Sequence, residues 1–167
     1  TTVPNPVSML EIDDYTQTKR LLVNAFLQAE IIKGLVAKIN IGFDDQNGVR
    51  NSYIPTTTLY GKQEGGKASK SMAQQFDRLL EATVNYNFNI AKAHKFNILA
   101  GYSYQDFNNE GFSAANSQFF TDIFKYNSLA SGEAARPTVA SNKSKTMFIS
   151  YFGRINYNLF DKYLFTL

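Results

Sequence analysis

Residues 80–90 alternate between apolar and polar side chains, and this alternation limits the possible fold more than any other feature of the sequence. Every second residue is apolar, and each residue between them is polar: Leu80, Ala82, Val84, Tyr86, Phe88 and Ile90 against Glu81, Thr83, Asn85, Asn87 and Asn89. Because neighbouring side chains on a strand point to opposite faces, the segment predicts a long β-strand with one apolar and one polar face.

The same alternation recurs and predicts strands over 17–31, 35–44, 73–90, 95–107 and 145–160, with a sixth strand beginning at 163. Tight turns at 33–34, 91–93 and 160–162 alternate along the chain with long polar loops at 45–70 and 108–142. Alternating strands of about 9–11 residues with short periplasmic turns and long extracellular loops are typical of transmembrane barrels. We therefore predict an all-β fold, an antiparallel up-and-down transmembrane β-barrel segment of about five to six strands.

The composition is compatible with this prediction and excludes other classes. No stretch approaches about 18 uninterrupted apolar residues, so no transmembrane helix is predicted. The net charge is only +3 and the basic residues are spread along the chain, which gives no support to nucleic-acid binding. The 14 phenylalanines and 10 tyrosines suit strands that carry aromatic rings at membrane interfaces. The chain starts without Met and ends within a predicted strand, so we expect it to be a piece of a longer protein.

Particular segments, and not only the pattern, point to a family: N-P-V-S-M-L at 5–10, D-D-Y-T-Q-T at 13–18 with R-L-L at 20–22, E-I-I-K-G-L at 30–35, R-N-S-Y-I-P-T-T-T-L-Y-G at 50–61, L-A-G-Y-S-Y-Q-D-F-N-N-E-G-F-S-A at 99–114 and Y-F-G-R-I-N-Y-N-L-F-D-K-Y-L at 151–164. In this order they resemble the SusC/RagA family of TonB-linked outer-membrane transporters of Bacteroidota. The resemblance covers essentially the whole chain.

The resemblance implies a bacterial outer-membrane barrel of about 22 strands with an N-terminal plug. It further implies TonB-dependent import of oligosaccharide or peptide cargo, and a SusD-like surface lipoprotein that acts as a lid over the extracellular mouth. Residues 1–167 are then expected to be a partial TonB-dependent transporter β-barrel domain, without the plug, the TonB-contacting N-terminal region and the remaining strands. The membrane lipid would be a further partner, and no cofactor is implied.

Two sets of residues are candidates for functional contacts. Aromatic residues in the predicted extracellular loops are candidates for contact with the lid or the cargo, and residues 117–129 place several of them at spacings close to a helical stripe: Tyr53, Tyr60, Phe112, Phe119, Phe120, Phe124 and Tyr126. Packing of the loops on one another and on the barrel rim is the alternative, and for any single ring it is the favoured one. Polar residues of the strands are candidates for lining the barrel lumen: Glu81, Asn85, Asn87, Asn89, Arg154, Asn156 and Asn158.

No catalytic or metal-binding site is predicted, so we do not expect an enzyme. His94 is the single histidine and lies at a predicted turn, where a solvated polar residue is ordinary. The adjacent carboxylates Asp13-Asp14 and Asp44-Asp45 lack the spaced oxygen ligands of a calcium loop and are interpreted as turn or rim residues. No G-x-S-x-G, H-E-x-x-H or P-loop motif occurs.

Two other classes of protein remain open at this stage. The first is a smaller, complete outer-membrane barrel of the porin or adhesin kind. The second is a soluble carbohydrate-binding β-sandwich, which would have to cover the apolar strand faces with a second sheet and would fold in water without detergent.

Overall fold

The structure, a computed structural model, describes residues 5–91 and 93–167. Within them, strands β1 to β6 span Asp13–Ile32, Leu35–Ile54, Lys67–Ile90, His94–Ser117, Thr138–Leu159 and Tyr163–Thr166. Two short α-helices, α1 and α2, span Pro6–Met9 and Leu59–Glu64, and two 3-10 turns span Lys125–Asn127 and Leu129–Ser131. Neither α-helix of this described part is long and apolar enough to cross a bilayer.

The strands form one sheet in the order β1-β2-β3-β4-β5-β6, so each strand pairs with its neighbours along the chain. The last pair is antiparallel, with Tyr157 opposite Phe165. The described residues form two compact units: a loop unit (5–20, 46–75 and 109–144) and a turn unit (21–45, 76–91, 93–108 and 145–167). The predicted all-β, up-and-down topology is confirmed.

In the turn unit, the alternation of the sequence gives the sheet two chemically different faces. On the apolar face, aromatic rings of four successive strands contact one another: Phe88 to Phe96 at 5.1 Å, Phe96 to Tyr157 at 4.7 Å and Tyr157 to Phe165 at 6.0 Å between ring centroids. The large apolar side chains of this face are widely exposed, and Val84 of β3 is 45% exposed. So large an exposed apolar surface indicates an interaction with lipid or protein.

The strands extend further than predicted, and the predicted loops 45–70 and 108–142 are too long. Residues 45–54 belong to β2 and 108–117 to β4, so the loops shrink to 55–66 and 118–137. Three dipeptides also lie on strands. They are Asp13-Asp14 and Asp44-Asp45, which are predicted as turn or rim residues, and Asn47-Gly48. The prediction failed here because these strand ends are polar on both faces and therefore lack the apolar period of two.

Two local predictions about helices are also wrong. The sequence predicts no helix before the strand at 17–31, yet α1 forms at Pro6–Met9, because Asn5 caps the amide of Val7 and proline is favourable in the first helical turn. Pro4 lies outside the described residues. The aromatic stripe at 117–129 forms no α-helix, only the two 3-10 turns. The structure instead places α2 between the Thr58 cap and Gly65, which adopts φ 66°.

The tight turns at 33–34 and 160–162 lie where the sequence predicts them, whereas the turn at 91–93 includes Lys92, which lies outside the described residues. Gly34 adopts φ 84°, as the predicted reversal requires. The amide of Gly34 donates to a Glu30 carboxylate oxygen at 2.8 Å, and its carbonyl accepts from the Asn87 amide at 2.8 Å. The turn is therefore fixed to both flanking strands, β1 and β3.

Gly34→Ala is expected to destabilise the protein by about 1–3 kcal/mol, because it places a side chain at a positive φ. Its Cβ would also lie 2.2 Å from the carbonyl oxygen of Asn87. The urea midpoint of unfolding should fall. Gly48→Ala is the matched control, since its Cβ would meet nothing closer than 3.8 Å and its φ is not positive. Equal midpoints for the two variants would contradict the prediction.

Candidate functional site

The loop unit has a small core where loop 118–137 packs on two neighbouring strands. Tyr53 on β2 and Ala68 on β3 are completely buried, and Phe119 at the start of the loop is nearly so. The rings of Tyr53 and Phe119 meet edge to face, with their centroids 5.8 Å apart. The partly buried side chains of Tyr126 and Leu129 complete the cluster. This core holds the loop against the strands.

A polar contact fixes the same loop to the end of β2. The carboxylate of Asp122 accepts hydrogen bonds from the Tyr53 hydroxyl, from the Thr56 hydroxyl at 2.7 Å and from the Thr56 amide at 3.4 Å. Burial raises the pKa of the Tyr53 phenol, and the hydrogen bond to Asp122 raises it further. Burial acts to raise the pKa of Asp122 as well, but the bonds from Tyr53 and Thr56 outweigh it and hold that pKa below its usual value.

Beyond these attachments, the loop exposes apolar side chains. Phe120 and Ile123 are 79% and 82% exposed, and Phe124 is also exposed. We call these three residues the loop apex. The rings of Phe120 and Phe124 lie edge to face at 6.4 Å, and the next residue, Lys125, is ion-paired to Asp13 at 2.6 Å. The apex is therefore apolar surface that is held in place.

The structure separates the predicted loop aromatics into different environments. Tyr53 and Phe112 lie on strands β2 and β4, so their prediction as loop residues is wrong. Tyr53 and Phe119 are buried in the core, and Tyr126 packs on it with the Lys70 ammonium 5.7 Å from its ring centroid. The exposed members are Tyr60 on α2, Phe112, Phe120 and Phe124. Contact with a lid or cargo stays a prediction for all of them.

Attachment of the loop through Asp122 should depend on pH only in acid. Because the folded-state pKa of Asp122 is lowered, its contribution to stability is complete above the ordinary carboxyl value of 3.8 and is lost as the pH falls through the lower, folded-state pKa. Hydrogen exchange of residues 118–124 should therefore stay slow from about pH 8 to 5 and accelerate only below about pH 4, beyond the intrinsic pH dependence. In Asp122→Asn this extra acceleration should vanish, and its persistence would refute the assignment.

Amide side chains on the polar face of the turn unit form a network across four strands. The amide nitrogen of Asn97 on β4 donates to Asn85 at 2.7 Å and to Asn87 at 2.6 Å, both on β3. Asn156 on β5 donates to Asn97 at 3.2 Å and accepts from Thr166 on β6 at 3.0 Å. The network is continuous from β3 to β6 and presents hydrogen-bonding groups along one face.

The remaining predicted polar residues share this face by alternation but differ in their contacts. Glu81 accepts from the Asn40 amide at 3.3 Å, whereas Asn158 donates to Asp161 of the adjacent turn at 3.0 Å. Asn89 and Arg154 lie on β3 and β5 in the same alternation. Asn97 joins two strands of the network and was not among the candidates, although its position in the alternation could have identified it.

The polar face also carries aromatic rings, which the alternation of the sequence does not predict. The rings of Phe107 and Phe148 contact each other at 6.0 Å, and Phe152 lies over Gly101, where a Cβ would come within 2.2 Å of the ring. Among the described residues, no group of three or more His, Cys, Asp or Glu could hold a metal ion.

Comparisons with known proteins place this sheet in a class. No family model matches the chain. It is similar to TonB-dependent receptor P3 of Formosa agariphila, with 33% identity over 165 residues, covering 98% of this chain and 16% of that protein. TonB-dependent receptor P26 of the same organism is 31% identical over 122 residues, covering 73% of this chain and 12% of that protein. The chain thus spans under a fifth of either relative.

Solved structures agree on the fold. The RagAB peptide transporter superposes with a TM-score of 0.83 at 22% identity, covering 95% of this chain and 17% of the matched chain. The RagAB peptide importer in its open-open state gives the same TM-score, identity and coverage. The fold and the relatives together define a segment of the barrel of a TonB-dependent receptor. The chain belongs to the TonB-dependent receptors, and the fold that it shares with RagAB agrees with the SusC/RagA resemblance of its sequence segments.

Proposed function

We propose that this chain forms part of the wall and the extracellular mouth of an outer-membrane, TonB-dependent importer of oligosaccharides or peptides. The observation that carries the proposal is the two-faced sheet of the turn unit, with exposed apolar side chains on one face and an amide network on the other. In a membrane barrel the apolar face contacts lipid and the polar face lines the lumen.

The dimensions of the apolar face support contact with lipid. Leu80 to Ile90 on β3 span about 34 Å along the strand at 3.4 Å per residue. A strand tilted by about 40° would then cross about 26 Å, close to the apolar band of an outer-membrane barrel. The ring cluster of Phe88, Phe96 and Tyr157 lies near the short turns, where an aromatic girdle would meet the periplasmic headgroups.

The sheet also needs the rest of the protein. Among the described strands, β1 and β6 are the edges of the sheet and pair with no further strand. In hydrocarbon each backbone N–H and C=O requires a partner, so these edges would be closed by neighbouring strands of the complete barrel. Energy would enter through TonB at a region outside this chain. The chain itself would contribute wall, polar lining and mouth loops.

The exposed apolar residues of loop 118–137 support a proposal about a protein partner. We propose that the exposed loop apex of Phe120, Ile123 and Phe124 contacts a SusD-like surface lipoprotein that covers the mouth. RagAB, the solved complex whose fold is similar, is a peptide transporter. A peptide cargo is therefore one candidate, and an oligosaccharide is the other.

The proposal is tested by uptake in cells. A strain without the full-length transporter gene should lose accumulation of either fluorescently labelled oligosaccharides or labelled peptides, and the intact gene should restore it. A protonophore should abolish the restored uptake, since TonB-dependent import requires energy. Uptake that persists with the protonophore would favour the porin-like alternative. Recovery of the protein in the soluble cell fraction would favour the β-sandwich.

A further inference from the structure

A cluster of charged side chains lies on the apolar face of the turn unit, directly beyond the apolar band. Asp106 on β4 is completely buried, and its Oδ2 lies 2.7 Å from an Arg78 guanidinium nitrogen on β3 and 3.2 Å from the Lys145 ammonium on β5. Alternation places the three on the same face as Leu80, Tyr104 and Met147, each of which is two residues away on the same strand, toward the short turns. The cluster therefore marks the end of the band opposite the short turns.

The internal bonding of the cluster leaves its positive charge available. Asp106 also accepts hydrogen bonds from the Tyr104 hydroxyl at 3.0 Å and from the Asn108 amide, so its oxygens are occupied by groups of this chain. Two cations converge on a single carboxylate, which gives the cluster a formal excess of one positive charge. The side chains of Arg78 and Lys145 are 44% and 50% exposed.

Two contacts restrict the direction of the cations. The guanidinium carbon of Arg78 lies 5.8 Å from the ring centroid of Phe76, on the same face. The guanidinium of Arg78 is also held by its ion pair with Asp106. The same carboxylate holds the ammonium of Lys145, which lies on the next strand, β5. Because both side chains are also partly exposed, N–H groups of Arg78 and Lys145 that do not contact Asp106 are accessible from outside the cluster. Because the buried carboxylate holds the two cations close together, they can contact the same anion.

We propose that Arg78 and Lys145 bind the phosphate of a lipid headgroup in the outer leaflet, of the phosphorylated glycolipid kind found in lipid A. The proposal rests on the proposed membrane orientation, with the short turns on the periplasmic side. A lysine or arginine on the lipid face costs about 2–4 kcal/mol at the midplane and about 0–1 kcal/mol near the interface, which suits a cluster just beyond the band. A phosphate there can accept charge-assisted hydrogen bonds from both cations.

The test uses the full-length transporter purified from outer membranes, with lipid A and chemically dephosphorylated lipid A as probes in native mass spectrometry. The wild type should bind the phosphorylated form at least about tenfold more tightly. Arg78→Gln/Lys145→Gln should bind both forms equally. The matched control Lys33→Gln/Lys162→Gln removes two cations from the turns at the opposite strand ends and should retain the preference. If the double variant does not fold, Lys145→Gln alone should reduce the preference.

Three results would overturn the proposal: no preference in the wild type, a full preference in the double variant, or displacement of lipid A by millimolar inorganic phosphate. The last would indicate a site for free anions. Heat-modifiable migration of each variant in gels tests the barrel separately. A barrel that folds and enters the outer membrane without preferring lipid A rejects only the lipid site. A wild-type protein that is absent from the outer membrane rejects the proposed function.

Discussion

Val84→Arg in the full-length transporter is expected to prevent most of the protein from assembling in the outer membrane. Val84 lies at the centre of the apolar face of β3, where its side chain is exposed. If that face contacts lipid, an arginine at mid-depth costs about 2–4 kcal/mol, a large part of the stability of an ordinary domain. The amount of heat-modifiable barrel in the membrane fraction measures the effect.

Thr83→Arg is the matched control for this experiment. Thr83 precedes Val84 on the same strand and lies on the opposite, polar face, where a charged side chain would enter a wet lumen. It should assemble at nearly the wild-type level. Equal assembly of both variants would argue against a lipid-facing surface. It would favour a protein in which both faces of the sheet are covered or solvated in the same way.

The strands and their faces could be predicted because neighbouring side chains on a strand point to opposite faces, so a sheet with one apolar and one polar face requires an alternating sequence. Each apolar residue from Leu80 to Ile90 occupies the face that carries the ring contacts of Phe88, Phe96 and Tyr157. The turn at Gly34 was predictable for a similar local reason, since a tight reversal needs a residue that tolerates positive φ. Both signals depend only on neighbours in sequence.

The strand ends were not predictable by the same rule. Residues 45–54 are mostly polar on both faces, with Val49, Tyr53 and Ile54 as the only large apolar side chains, so no period of two survives. Backbone pairing with the neighbouring strands continues there without an apolar face. The dipeptide Asn47-Gly48 is a strong turn signal in isolation, yet it lies within β2. Pairing along the sheet therefore overrides local turn preference.

The contacts of the two candidate sites could not be predicted from the sequence because they join residues that are distant along the chain. Tyr53 and Asp122 are 69 positions apart, and the register of three strands brings Arg78, Asp106 and Lys145 together. The helical stripe at 117–129 was misleading for a related reason. Its rings alternate between the core and solvent, with Phe119 packed on Tyr53 and Phe120 exposed, and this distribution produces helix-like spacings without a helix.

Phe120→Ser/Ile123→Ser/Phe124→Ser is expected to reduce retention of the surface lipoprotein by the transporter at least about tenfold, since aromatic anchors at interface centres often contribute about 2 kcal/mol or more. The change removes the exposed apex and leaves the attachments of the loop through Phe119 and Asp122 intact. Co-purification of the lipoprotein with the tagged full-length transporter gives the measurement. Heat-modifiable migration checks that the barrel is unaffected.

Met72→Ser/Val139→Ser is the control for this variant, because it removes exposed apolar side chains from β3 and β5 and leaves the loop unchanged. It should retain the lipoprotein at the wild-type level. Full retention by the triple variant would contradict lid contact at the apex. If cargo uptake then fell while the lipoprotein stayed bound, the exposed rings would instead contact the cargo. Aromatic side chains at the mouth of a transporter can stack on a sugar or a peptide.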